Sequence, residues 1–246
     1  MVQTSHARAY YGVNLRVGRI DEIREALTIA GYRRERIDQS CMADQLYLSL
    51  WYPNFRMEAL PAALEKVMEQ FAAAGGAAMV AAATVYPISW NEAPVWQRVY
   101  RNETDDEEAS PHAVIAAAME NPHEDYAWEF ELIWELWVPE QAAGLDTMWR
   151  HDPRIVRVVA FGPEFDDHAY ETNGHIRVDF GLDTPFLYED VDLDKDAVQR
   201  VKQNVERLVD FTNLVQKNCG ISSRLLWSES GDSLARRLID RLQQVN

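Results

Sequence analysis

The chain reads as a mixed α+β protein, built from two ferredoxin-like halves with antiparallel sheets and an added C-terminal helix. Three observations lead there. Strand-type alternation and helix-type spacing follow one another in βαββαβ order from residue 7 to 89, and the same order recurs from 126 to 228. In each half the main amphipathic helix also ends at Gly and is followed by a strand. The division that results is 1–90 for the first half, 91–125 for an acidic connecting segment, and 126–246 for the second half with its helix.

In the first half, residues 7–17 alternate through Tyr11, Val13, Leu15 and Val17 as a strand. A helix follows, with Ile20, Ile23, Leu27 and Ala30 on one stripe, Asp21 and Glu22 at its positive end and Gly31 as its stop. Residues 32–38 are a weak strand, and 44–52 a better one, with Leu46, Leu48 and Leu50 opposite Tyr47, Ser49 and Trp51. Pro61 suits the first turn of a helix whose Leu60, Leu64, Val67 and Phe71 share a face and which Gly75-Gly76 ends. Residues 77–89 complete the half as a strand of small residues. In the connecting segment, 95–101 can pair at a sheet edge, the run 102–109 reads as a solvated acidic loop, and 111–119 as a short helix.

The clearest element opens the second half. Along 126–138, Trp128, Phe130, Leu132, Trp134, Leu136 and Val138 occupy one face, while Glu129, Glu131, Ile133, Glu135 and Trp137 occupy the other. A short helix is expected over 140–150, then strands at 154–161 and 174–182. A long helix carries Val198, Val201, Val205, Leu208, Thr212 and Val215, and stops at Gly220. A strand at 223–228 and a final helix through Leu234, Leu238, Leu242 and Val245 end the chain.

Composition narrows the partners. Forty Asp and Glu against 24 Lys and Arg give a net charge of -16, which repels phosphate backbones and anionic lipid alike, so neither nucleic acid nor membrane is expected. Between Arg101 and Glu140 twelve carboxylates face one arginine, a concentration that serves solubility or a basic protein partner. The uncharged stretch 70–91 is mostly Ala, broken by Gly and Pro, and does not read as a membrane span. Two cysteines, Cys41 and Cys219, make no disulfide framework, and the N-terminus has no signal-peptide core, which together point to a cytoplasmic protein.

Catalytic signatures are missing from the sequence. There is no dinucleotide or phosphate loop, no nucleophile elbow and no zinc-protease motif. The run 190–196 resembles the start of a calcium loop, but Lys195 stands where Gly is required and Val201 where the bidentate Glu belongs. The loop 162–175 gathers Glu164, Asp166, Asp167, His168, Glu171 and His175, yet in no spacing that a metal site uses. No metal and no cofactor is therefore expected.

One constellation remains. In ferredoxin-like order the strand 126–138 lies between 174–182 and 223–228, which sets Glu129, Glu131 and Glu135 beside His175, Arg177 and Asp179, with Arg157 one strand further out. Two readings fit. The residues form a ladder of cross-strand ion pairs, or Arg177 and Arg157 hold an anionic ligand while a Glu or His moves protons. The corresponding functions are a non-catalytic interaction or assembly protein, binding a partner or itself through an acidic, aromatic surface, and a small-molecule binder or enzyme. What covers Ile133 and Trp137 bears on the choice.

Overall fold

The computed structural model describes residues 43–100, 107–140, 148–188 and 195–231, together with 234, 236 and 237. The expected strand at 7–17, helix at 20–30 and weak strand at 32–38 lie outside the described residues, as does most of the final helix. The described residues all belong to one compact unit, Glu35–Asn246.

Among the described residues the elements with complete bounds are β1 (Gln45–Trp51), a 3-10 turn (Met57–Ala59), α1 (Leu60–Ala73), β2 (Val80–Pro87), β3 (Trp96–Val99), α2 (Pro111–Ala118), β4 (Tyr126–Glu140), β5 (Met148–Phe161), α3 (Tyr170–Asn173), β6 (Ile176–Leu182), α4 (Thr184–Leu187), α5 (Lys195–Asn218) and β7 (Ser223–Ser228). Local chemistry accounts for several boundaries. Pro61 occupies the first turn of α1, where a missing N–H costs nothing. Ser110 caps α2 through its side chain, which accepts from the Ala113 N–H, and Pro111 follows at the first helical position.

The mixed α+β class holds, and the seven strands form one antiparallel sheet in the order β3-β2-β4-β5-β6-β1-β7. The expected neighbours of residues 126–138 are corrected. β4 pairs with β2 and β5 rather than with 174–182 and 223–228, and β1, from the other side of the connecting segment, stands between β6 and β7. The reason is connectivity: β4, β5 and β6 form a meander, and consecutive antiparallel strands pair as neighbours by default. Alternation assigns a residue to a face but does not name the adjacent strand.

The short helix expected over 140–150 is also corrected at its described ends. β4 continues to Glu140 and β5 begins at Met148, paired in register from Ala127↔Phe161 to Glu140↔Met148. Beyond Leu132 and Arg157 the two strands leave their other sheet neighbours and run on as a two-stranded arm of roughly 25 Å at the usual rise. Pro139 and Pro153 both sit in this arm, where each strand has a single strand partner.

The core fills one side of the sheet. Trp128, Phe130, Leu132 and Trp134 of β4 meet Leu60, Leu64, Val67 and Phe71 of α1, Val114 and Ile115 of α2, Phe186 of α4, and Leu208, Phe211 and Val215 of α5. Trp134 lies at its centre, with Phe71, Phe180, Phe186 and Phe211 ring centroids at 5.2, 5.8, 6.5 and 6.4 Å. Asn204, fully buried on α5, ties helix to sheet. Its Oδ1 accepts from the Trp137 N–H at 2.9 Å, and its Nδ2 donates to the carbonyls of Trp137 and Pro185. At the C-terminal end, Arg237 bonds the buried carboxylate of Asp183 and lies 3.5 Å from that of Asp44.

Candidate functional site

The second face of the sheet is built by register. One row runs Ala82, Glu131, Arg157, Asp179, Tyr47, Trp227 across β2, β4, β5, β6, β1 and β7; the next runs Thr84, Glu129, Val159, Arg177, Ser49, Leu225. A third position, Tyr86 beside Ala127 beside Phe161, lies under an apolar cap made by Phe165 and Trp90. One end of this face is therefore covered by the chain's own aromatic rings, and the rows beyond it are polar.

The structure brings five of the seven expected residues together, with their neighbours rearranged. Arg157 sits beside the glutamates rather than a strand away, its Nε donating to Glu131 Oε1 at 3.1 Å and lying 3.8 Å from Glu129 Oε1. The exposures of the three side chains fall as 39% for Arg157, 25% for Glu131 and 18% for Glu129. Burial pushes the Glu129 carboxyl above its ordinary range; Arg157 opposes this, and Glu131 and Asp179 add to it. Asp179 closes the row, but its Oδ1 accepts from the Gly181 N–H at 2.8 Å. That bond spans a bulge between Gln45 and Tyr47, where Gly181 supplies a φ of +73°.

Arg177 lies one strand further from Glu129, across Val159. Its guanidinium carbon is 5.0 Å from the Tyr47 ring centroid and 5.4 Å from that of Phe161, and Nη1 donates to Asn173 Oδ1 at 2.8 Å. Its Nε is buried without a hydrogen-bond partner. Burial lowers its affinity for a proton, and Tyr47, Asp179, Glu129 and Glu229 restore part of it. Tyr47 in turn is pushed up to about 12 by burial and by Asp179, and donates to Glu229. Trp227 stacks on Tyr47 at 4.6 Å and donates to Ser49.

The other two expected residues lie elsewhere. Glu135 is on the arm, 4.0 Å from His151. His175 stands in a ring stack, 4.1 Å from Phe55 and 5.3 Å from Tyr170, with Nδ1 accepting the Tyr52 N–H at 3.0 Å. Trp137 is covered from within the chain: Arg200 of α5 lies over its ring at 4.6 Å, His151 packs at 3.9 Å, and its Nε1 donates to Gln203. Ile133 pairs with Ile155, which is exposed.

Sequence reasoning missed Tyr47, Ser49, Phe161, Asn173 and Trp227. The alternation of 44–52 does set Tyr47 and Ser49 on one face, but their partners follow only from the β1–β6 and β1–β7 registers. Among the described residues no group of three or more His, Cys, Asp or Glu side chains is placed to hold a metal ion. Cys219 is buried, and burial pushes its thiol up to about 11, the condition of an unreactive thiol. Among the described residues no helix is long and apolar enough to cross a membrane.

Fold and face together define a class: a mixed α+β protein whose antiparallel sheet, among the described residues, packs its core helices α1, α2, α4 and α5 on one side and carries a paired, aromatic-lined charge ladder on the other, beside the short helix α3. No protein-family model, curated protein or solved structure matches the chain.

Proposed function

We propose that this is a non-catalytic interaction or assembly protein, cytoplasmic, which engages a basic protein partner through the acidic and aromatic second face of its sheet. The observation that carries this reading is the pairing on that face. Arg157 is committed to Glu131 and Glu129, so the catalytic alternative loses one of its two anion-holding groups, while Glu129, Glu131, Asp179 and Glu229 outnumber Arg157 and Arg177 around the Tyr47–Trp227 pair. A face of that sign, with the exposed carboxylate of Glu229 at its rim, attracts cations and repels nucleic acid. The net charge of -16 acts in the same direction.

The test is association at low and high salt. Size-exclusion chromatography with a lysine-rich peptide as probe is expected to give a complex at low ionic strength that dissociates as salt rises, weakened several-fold by Glu131→Gln with Glu229→Gln. A chain that stays alone and monomeric under all conditions sinks the reading. A second reading rests on Arg177, whose buried Nε has no hydrogen-bond partner: a small carboxylate ligand held there. A thermal-shift screen with carboxylic acids, repeated on Arg177→Ala, separates the two, because only the second reading expects stabilisation that the substitution abolishes.

A further inference from the structure

His175 is fixed by a hydrogen bond whose direction has only one solution. A backbone N–H can only donate, so the Nδ1 that receives Tyr52 N–H at 3.0 Å must carry its lone pair, and the neutral ring holds its hydrogen on Nε2. Protonating the ring puts its second hydrogen on Nδ1, facing the hydrogen of the Tyr52 N–H. It also places a cation between the Phe55 and Tyr170 rings. Two effects then compete. Stacking a cation on aromatic faces at a partly exposed site returns little, whereas leaving a part-buried donor without its acceptor costs more. The second is larger, and among the described residues no charged side chain opposes it. The titratable groups around the ring are Tyr52 and Tyr170, with His168 beyond Tyr170 and Cys219 near Tyr52; burial is the sole influence on the imidazole, and it holds the ring below its ordinary range.

What the ring holds is the C-terminal end of the segment 162–174; the other end is fastened separately, Gly162, Glu164 and Asp166 donating their N–H groups to the carbonyls of Tyr126, Glu124 and Ile88. The C-terminal end reaches the sheet through the stack of Tyr170 on His175, through Asn173, which receives Arg177, and through Gly174. Gly174 has a φ of +86° and lies so close to the Leu50 backbone that a Cβ there would come within 2.6 Å of its nitrogen. Phe165 of the segment, with Trp90, covers Phe161 of the sheet.

We propose that His175 is an acid-sensitive pin: neutral, it fastens the Tyr170–Gly174 end of the strap 162–174 to the ends of β1 and β6, and protonated it leaves the stack and lets that end lift from Arg177. The sign follows from linkage. A histidine that is harder to protonate in the folded state contributes stability that is complete above the unfolded value of about 6.5 and declines as pH falls below it.

The experiment is NMR on the full chain between pH 7.5 and 5, following the His175 ring nitrogens and the hydrogen-exchange protection of the Tyr52 amide. The expected result is the Nε2–H tautomer with a midpoint below 6.5, and Tyr52 protection falling toward tenfold per pH unit below about 6.5. His175→Gln keeps an acceptor for the Tyr52 N–H but does not titrate, so its protection is expected to stay level. A ring that titrates at or above 6.5 in the folded protein, Tyr52 protection that ignores pH, or a His175→Gln variant that loosens in the same way each overturns the proposal. The wild-type tautomer and midpoint decide the matter even where the variant does not fold.

Discussion

At the scale of single residues, the second face shows how two similar carboxylates acquire different behaviour from depth alone. Glu129 and Glu131 lie two positions apart on β4 and share Arg157, yet the closer hydrogen bond goes to Glu131 and the deeper burial to Glu129. A folded-state value raised above the unfolded one means that Glu129 favours the fold when protonated, an advantage complete in acid and lost as pH rises through its folded value. Carboxyl NMR is expected to place Glu129 above the ordinary 4.5 in the wild type and higher still in Arg157→Met, which removes its main opposing influence. Glu129→Gln is expected to leave stability at pH 7 unchanged or slightly higher, and Glu131→Gln to cost about 0.2–1 kcal/mol, the range of a part-exposed pair, measured by urea unfolding.

The presence of these glutamates on one face was legible at this scale, because strict alternation along 126–138 separates them from Trp128, Phe130 and Trp134. Their company was not. Arg157 and Arg177 exchange places relative to the expected order, since a two-residue period fixes facing and leaves pairing to the connections. Residue type alone offers His175 as a proton carrier. Its ring stack and its bond to Tyr52 depend on Phe55 and Tyr52, which are distant in sequence, and on the turn that brings Tyr170 back over the ring, none of which carries a local signal of proximity.

At the scale of elements, Asn204 is the point where α5 grips the sheet. A polar residue in the apolar stripe of an amphipathic helix breaks the period that identifies the stripe, so the sequence places Val201 and Leu208 in the core and passes over Asn204 between them. Its three hydrogen bonds join β4 at Trp137, the carbonyl of Pro185 and, through the Trp137 carbonyl, the Tyr188 hydroxyl. Asn204→Ala leaves the Trp137 N–H and the Pro185 carbonyl without their partner, and a loss of about 3 kcal/mol is expected, read as a lower urea midpoint at constant slope. Gly174→Ala is expected to destabilise by about 1–3 kcal/mol because it meets both a left-handed backbone and the Leu50 main chain.

At the scale of the whole molecule, α+β class and antiparallel pairing follow from the patterns of the two segments, but the two segments do not keep separate sheets. β1 is inserted between β6 and β7, a long-range pairing that local periodicity cannot express. The expected boundary of the meander fails for a related reason: the sequence of 148–153 mixes charges and Pro153 into a strand that is supported only by its hairpin partner. Each strand of that arm has one strand partner where the central strands have two. Hydrogen exchange is expected to show amides of 135–140 and 148–153 opening at a lower free energy than those of β4 and β5 inside the sheet, with Trp149→Ser widening the gap by removing the ring that rests on Tyr188.

The centre of the core has an optical consequence. Trp134 is fully shielded from water, with its indole N–H buried and without a hydrogen-bond partner and with four phenylalanine rings around it. Such an indole emits toward the blue, and Trp128, equally buried, differs from it by donating to the Ala118 carbonyl. The blue edge of the emission therefore reports the junction of α1, α5 and β4. Loss of that blue edge during unfolding marks the moment the helices leave the sheet, and Trp134→Phe is expected to remove most of it without exposing a new polar group.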